Sequence, residues 1–179
     1  SIAYWEENQS MVPEFTMIND LLQYPEIKKI RYPKAGEQNP SLRIGIARVK
    51  GAGRRWITEA QVDNDYLPWM EWVNEDRISF LKMKRDQKSW NLFISDDSRG
   101  KSMAIISEKD ESGWLDNDGQ IKFLDNGKII WLSERSGYKH IWMSKHFGSS
   151  FWPITEGTWE VFEVIYIDEI KDVIYFTAN

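Results

Sequence analysis

Apolar residues along this chain come in short runs broken by charged turns. The runs alternate with the period of a strand, and no window sustains the three-to-four-residue period of a helix. Residues 42–49 place Leu42, Ile44 and Ile46 on one face before Val49 breaks the phase, which predicts a strand. Residues 2–6 and 12–18 predict two more, the second entered through Pro13, a residue suited to a sheet edge. Residues 26–31 fit neither template, because Ile27 and Ile30 flank Lys28 and Lys29. Residues 54–58 pair back on the strand at 42–49 through a tight turn at Gly51, Ala52 and Gly53.

A longer pattern follows. Strands are predicted at 66–72, 77–83, 90–94 and 103–106, and again at 120–124, 128–133, 138–143 and 151–155, so that residues 77–81 overlay residues 128–132. A third copy begins at 159–164 and 172–176. Four strands in a meander joined by short polar turns make one propeller blade, and a repeat of roughly 45 to 50 residues fits its period. The units are blade remnants at 1–62, blades at 66–108 and 113–155, and a partial blade at 157–179. The fold class expected is all-β, an open arc of about three to four four-stranded antiparallel blades in a single partial β-propeller domain. Such an arc leaves strand edges and blade faces unpaired, which invites self-association. Both chain ends fall in strand-like stretches, as if cut from something longer.

Composition agrees with an all-β reading. The 179 residues include 10 Trp, 7 Tyr and 8 Phe against 11 Gly and 6 Pro. A net charge of -5, without clustered Lys and Arg on one face, excludes a nucleic-acid footprint. With no cysteine, neither a disulfide framework nor a thiolate metal site is available, and no run approaches a membrane span.

The candidate chemistry is sparse. His140 and His146 are the only histidines, no Gly-x-Ser-x-Gly elbow accompanies them, and Gly148-Ser149-Ser150 runs directly into a strand, so no catalytic residue is assigned. His140 is expected to be a structural strand residue and His146 a turn residue. The two lack any metalloprotease spacing, and no metal or cofactor is expected. The acidic groups at Asp63-Asn64-Asp65, Asp96-Asp97, Asp110-Glu111 and Asp116-Asn117-Asp118-Gly119 suit tight turns, where their side chains cap the local backbone. The last group is too short for a calcium loop, and spacing alone picks out no glycosidase pair. Trp69, Trp72, Trp131, Trp142, Trp152 and Trp159 sit at strand positions and are expected to pack between blades. Trp114, after Ser112-Gly113 and before an acidic loop, is the one candidate ligand contact.

One hairpin brings in a family. Residues 130–133 and 138–142 alternate around the turn Glu134-Arg135-Ser136-Gly137, and Ser133-Glu134-Arg135-x-Gly137-Tyr138-x-His140 resembles a signature of the β-propeller in dipeptidyl peptidase IV-like serine exopeptidases. Three further stretches match in order: Ala3-Tyr4 through Val12-Pro13, Tyr32-Pro33-Lys34-Ala35-Gly36 with Asn39-Pro40, and Thr155-x-Gly157-x-Trp159-Glu160-Val161. The resemblance implies a piece of an eight-bladed propeller that is catalytically inert alone. It implies a parent that removes Xaa-Pro or Xaa-Ala dipeptides from peptide N-termini, with the remaining blades and an α/β-hydrolase domain as partners in that parent.

In such enzymes the propeller gates access and recognises the substrate amine through a Glu-Glu pair, upstream of a strand resembling Ile2-Ala3-Tyr4-Trp5. Glu6 and Glu7 lie downstream of that strand, so the role is not carried to them. No substrate-touching residue of the family is matched to residues 115–120. The resemblance also implies a dimeric parent in the periplasm or outside the cell. The alternatives are a stand-alone β-propeller-like module for peptides or glycans, and a glycosidase binding sugar at Trp114.

Overall fold

The computed structural model describes residues 1–51, 53–96, 101–116, 120–145, 147–148 and 150–179. Strands and turns account for all the regular structure among them, and every strand pairing is antiparallel. Strands β1 (Ile2–Asn8), β4 (Ser41–Ala47) and β5 (Arg54–Val62) form a three-stranded sheet in the order β1-β4-β5. Strands β6 (Tyr66–Trp72), β7 (Arg77–Met83), β8 (Ser89–Asp96) and β9 (Ser102–Lys109) form a four-stranded meander. Strands β10 (Ile121–Phe123), β11 (Ile129–Ser133), β12 (His140–Lys145) and β13 (Ser150–Pro153) form a second one. Strands β14 (Val161–Asp168) and β15 (Val173–Ala178) pair with each other alone.

The sheets are stacked in chain order, and the parity of each strand decides which neighbour a side chain meets. Ile44 and Ile57 of the first sheet pack on Ile78 and Phe80 of the second. Leu81 and Leu92, on the other face of the second sheet, meet Ile121, Ile129 and Trp131 of the third. Ile130, Ile141 and Met143 then meet Val161 at the start of the fourth. Because β7 and β11 are covered on both faces, burial along them does not alternate: Ile129, Ile130 and Trp131 are all buried. This corrects the one-sided alternation expected for the hairpin at 130–142. Its outgoing strand also begins at His140 rather than Tyr138, since Gly137, at φ 101°, and a Gly137 N–H bond to the Glu134 carbonyl keep the turn open to that point.

Residues 26–31, ambiguous in sequence, are a strand. Strand β3 (Glu26–Arg31) pairs along its whole length with β2 (Glu14–Asn19), so Ile27 faces Ile18 and Ile30 faces Phe15. This hairpin leaves the first sheet between β1 and β4, and nearly all of it is exposed; Leu21 near its tip is 92% exposed. Val12 is buried ahead of β2 rather than within it. At the bulge between β4 and β5, Gly45 lets two rings close over the backbone, for a Cβ there would lie 2.7 Å from both Tyr4 and Trp56. No helix among the described residues is long and apolar enough to cross a membrane.

Candidate functional site

The turns following β5, β7 and β11, the loops following β9 and β13, and the loop before β4 are tied to one another by backbone and side-chain bonds. Leu115 N–H donates to the Gln87 carbonyl (2.7 Å), Asp110 N–H to Lys88 (2.9 Å) and Val161 N–H to Lys139 (2.8 Å). These bonds cross between neighbouring sheets or turns, so the loops form a connected surface on a rigid scaffold.

The Ser-Glu-Arg-x-Gly-Tyr-x-His motif is part of that scaffold. Glu108 has only 5% of its side chain exposed, and its Oε1 accepts from Trp131 Nε1 (2.9 Å) and from Arg135 Nε (3.1 Å), with Arg135 Nη2 completing the ion pair. Arg135 also donates to Ser133 Oγ and to the Ser107 carbonyl. Its guanidinium stands over Phe151 at 4.3 Å, Trp142 at 5.0 Å and Trp131 at 5.4 Å from the ring centroids. The second and third sheets are thereby stapled through one charge pair.

His140 closes the third sheet onto the fourth. It is 1% exposed and meets Thr155 Oγ1 through Nδ1 and the Gly157 carbonyl through Nε2, both at 3.1 Å. A carbonyl only accepts, so Nε2 carries the proton, and the Thr155 hydroxyl, which accepts Ile141 N–H, donates to Nδ1. The Trp159 ring meets the imidazole edge-on at 5.0 Å. With both nitrogens engaged, His140 has no capacity left to serve as a base toward a nucleophile. His146 lies outside the described residues, as do Ala52, Asp97, Ser149 and residues 117–119 of the acidic loop. Among the described residues no group of three His, Cys, Asp or Glu could hold a metal ion.

Trp114 is 66% exposed, carried outward by a loop that Leu115 anchors in the core. The loop begins with an aspartate turn: Asp110 Oδ1 accepts from the Ser112 hydroxyl (2.7 Å), Ser112 N–H (2.8 Å) and Gly113 N–H (3.1 Å). Those bonds, the hydroxyl's foremost, hold the Asp110 carboxyl below its ordinary range. Glu6 and Glu7 stand on β1, where Glu6 is paired with Arg43 and Glu7 accepts from Gln9 Nε2.

The largest cavity among the described residues adjoins the Tyr-Pro-Lys-Ala-Gly loop. Its volume is about 510 Å³, and it is lined by Tyr32, Pro33, Pro40, Leu42 and Tyr66 together with Glu7 and Arg85. Arg85 Nη1 donates to the Glu37 carbonyl and to Asn64 Oδ1 (2.8 Å), the amide oxygen that also accepts Asn39 N–H (3.2 Å). Asp65 next to it is neutralised by Lys84 at 2.8 Å, and this contact, chiefly its hydrogen bond, raises the Lys84 ammonium above its ordinary value. Neither the Glu108–Arg135 pair nor this cavity is foreseen in the sequence. Arg135 belongs to the quoted motif, but nothing in the spacing links it to Glu108.

A family described as the dipeptidyl peptidase IV (DPP IV) N-terminal region matches residues 1–179. Dipeptidyl peptidase 4 of Trichophyton rubrum is 27% identical over 188 residues, which span 100% of this chain and 23% of that protein. Dipeptidyl peptidase 4 of Sus scrofa is 28% identical over 200 residues, spanning 99% and 26%. The crystal structure of Porphyromonas gingivalis dipeptidyl peptidase 4 matches with a TM-score of 0.88 at 23% identity, over 98% of this chain and 25% of that one. The chain therefore spans about a quarter of the length of the relatives it matches.

Proposed function

The chain belongs to the family of the dipeptidyl peptidase IV N-terminal region, and from that premise we propose that it is a non-catalytic part of the β-propeller of a serine exopeptidase. The longer protein removes Xaa-Pro or Xaa-Ala dipeptides from peptide N-termini. The propeller gates access and recognises the substrate amine, while acyl chemistry belongs to an α/β-hydrolase domain. The observation that carries the reading is the end-to-end family match, residues 1–179, on a stack of antiparallel sheets. In keeping with it, the only histidine among the described residues is fully committed to structural bonds.

The outer sheets support a continuation of the ring. Phe162, Ile165 and Tyr166 of β14 and Tyr175 of β15 are exposed on the far side of the fourth sheet, and Ile2 and Trp5 of β1 are exposed on the first. In the longer protein, further blades cover these surfaces. In the isolated chain, copies associate through them. The longer protein works in the periplasm or outside the cell.

The test is hydrolysis of a chromogenic Gly-Pro amide by the longer protein and by this chain, side by side. Activity in the longer protein and none in the chain is expected. An inactive longer protein would turn the assignment toward a peptide- or glycan-binding module.

A further inference from the structure

We propose that the cavity beside residues 32–40 binds an extended peptide by its carboxylate, with Arg85 and Lys34 as the anion contacts and Tyr32 and Tyr66 as the apolar walls. A volume of about 510 Å³ accommodates a short peptide, and most of the wall is aromatic, proline or aliphatic. The electrostatics select the occupant. Arg85 is half-buried, yet its guanidinium bonds only neutral oxygens, the Glu37 carbonyl and the Asn64 amide, through Nη1, while the Arg85 backbone N–H donates to Asp65 Oδ1 at 3.3 Å. Its Nε and Nη2 bond no other described residue, and no described carboxylate forms an ion pair with it. A partly desolvated guanidinium without a counter-charge is the group that takes a carboxylate in a fork of two parallel bonds.

Lys34 adds a second charge with no ion partner among the described residues, its Nζ resting over the Phe15 ring at 5.3 Å. Asp65 is turned to other donors, its Oδ2 to the Lys84 ammonium and its Oδ1 to the Arg85 backbone N–H, and forms no ion pair with the guanidinium. Glu7 lines the same cavity from β1, whereas Arg85 lines it from the β7–β8 turn. Its carboxylate accepts only from the Gln9 amide. With the anion on one element and the cation on another, the peptide is bound with its N–H groups toward Glu7 and its carboxylate toward Arg85. The inference rests on the peptidase reading for the supply of peptides, but the site itself lies within this chain.

The test titrates the 15N-labelled chain with N-acetyl-Ala-Pro-Phe, with its C-terminal amide, and with the amide of N-acetyl-Ala-Pro-Phe-Asp. Saturable shifts confined to Tyr32, Ala35, Tyr66 and Arg85 are expected for the free acid, with the tripeptide amide weaker by about tenfold or more. If the aspartyl amide binds like the free acid, the site takes a C-terminal or a side-chain carboxylate alike; if it does not, it takes the C-terminus. R85Q abolishes the preference for the acid and Arg85→Lys retains it in part. Lys34→Gln, which removes no hydrogen bond of the fold, weakens the acid alone, and Lys122→Gln leaves it unchanged. Equal binding of acid and amide, or unchanged affinity in R85Q with a native spectrum, would overturn the proposal. Either result leaves hydrolysis of the Gly-Pro amide by the longer protein untouched, so the two readings fail separately.

Discussion

Glu108 and Arg135 show what a single residue does in this fold. A carboxylate buried between two sheets is tolerable because an indole N–H and a guanidinium face it, so removing the cation leaves an uncompensated charge. Arg135→Ala is expected to lower stability by about 3 to 5 kcal/mol, measured by denaturant unfolding. Glu108→Gln with Arg135→Met should recover most of the loss, whereas additive losses would show that the pair does not act as a unit. Gly45→Ala forces a methyl group into the space held by Tyr4 and Trp56, and a loss of about 1 to 3 kcal/mol is expected from the same measurement.

Asp110 gives a pH signature. Its folded pKa is depressed by the Ser112 and Gly113 donors, so its contribution is present above the unfolded value and lost as pH falls through the lower folded one. An NMR titration of the Asp110 carboxyl carbon should show a midpoint below that of an ordinary aspartate, and S112A should move it upward. A midpoint that ignores the substitution would assign the shift to something other than the turn. The capping role of the acidic groups was legible in sequence at Asp110, because it depends on neighbours two and three residues away. The Glu108 contact spans 27 residues and leaves no local trace.

The strands themselves differ in what covers them. Strand β7 is enclosed by two sheets and β11 by two others, while β2 and β3 have only each other. An isolated two-stranded ribbon is marginal on its own, and local opening follows contact density. Amide hydrogen exchange should therefore be fastest in residues 14–31 and slowest in β7, β8 and β11; comparable protection in the hairpin would mean that something in solution covers it. The same difference explains which elements were legible in sequence. Residues 42–49 alternate because one face of β4 meets Ile57 and Ile78 while Arg43 and Gly45 point away. Residues 26–31 resisted assignment because their strand has no buried face to impose a period; the cross-strand pairs Ile27–Ile18 and Ile30–Phe15 organise it instead. At β11 the two-sided burial hides the period from the opposite cause, with apolar residues on both faces.

At the scale of the whole molecule, the sheets are layers of one stack whose two ends remain open. The exposed aromatic and aliphatic side chains of β14 and β15 should make the isolated chain associate with concentration, visible in sedimentation velocity. Replacing Phe162 and Tyr166 with Ser should reduce that association without lowering stability, because both are exposed. Association unchanged by these substitutions would move the contact to another surface, such as the β2–β3 hairpin. The all-β layering and its rough repeat could be inferred from the four-strand phrasing, whereas the direction in which each layer faces required the register.

On the proposed reading, the reactive serine of the longer protein lies outside these 179 residues. Labelling with a fluorophosphonate probe, which reacts covalently with an activated serine, followed by peptide mapping, tests it most directly. The longer protein is expected to be labelled at one serine outside this chain, and the isolated chain to take up no label. A labelled serine within residues 1–179 would contradict it.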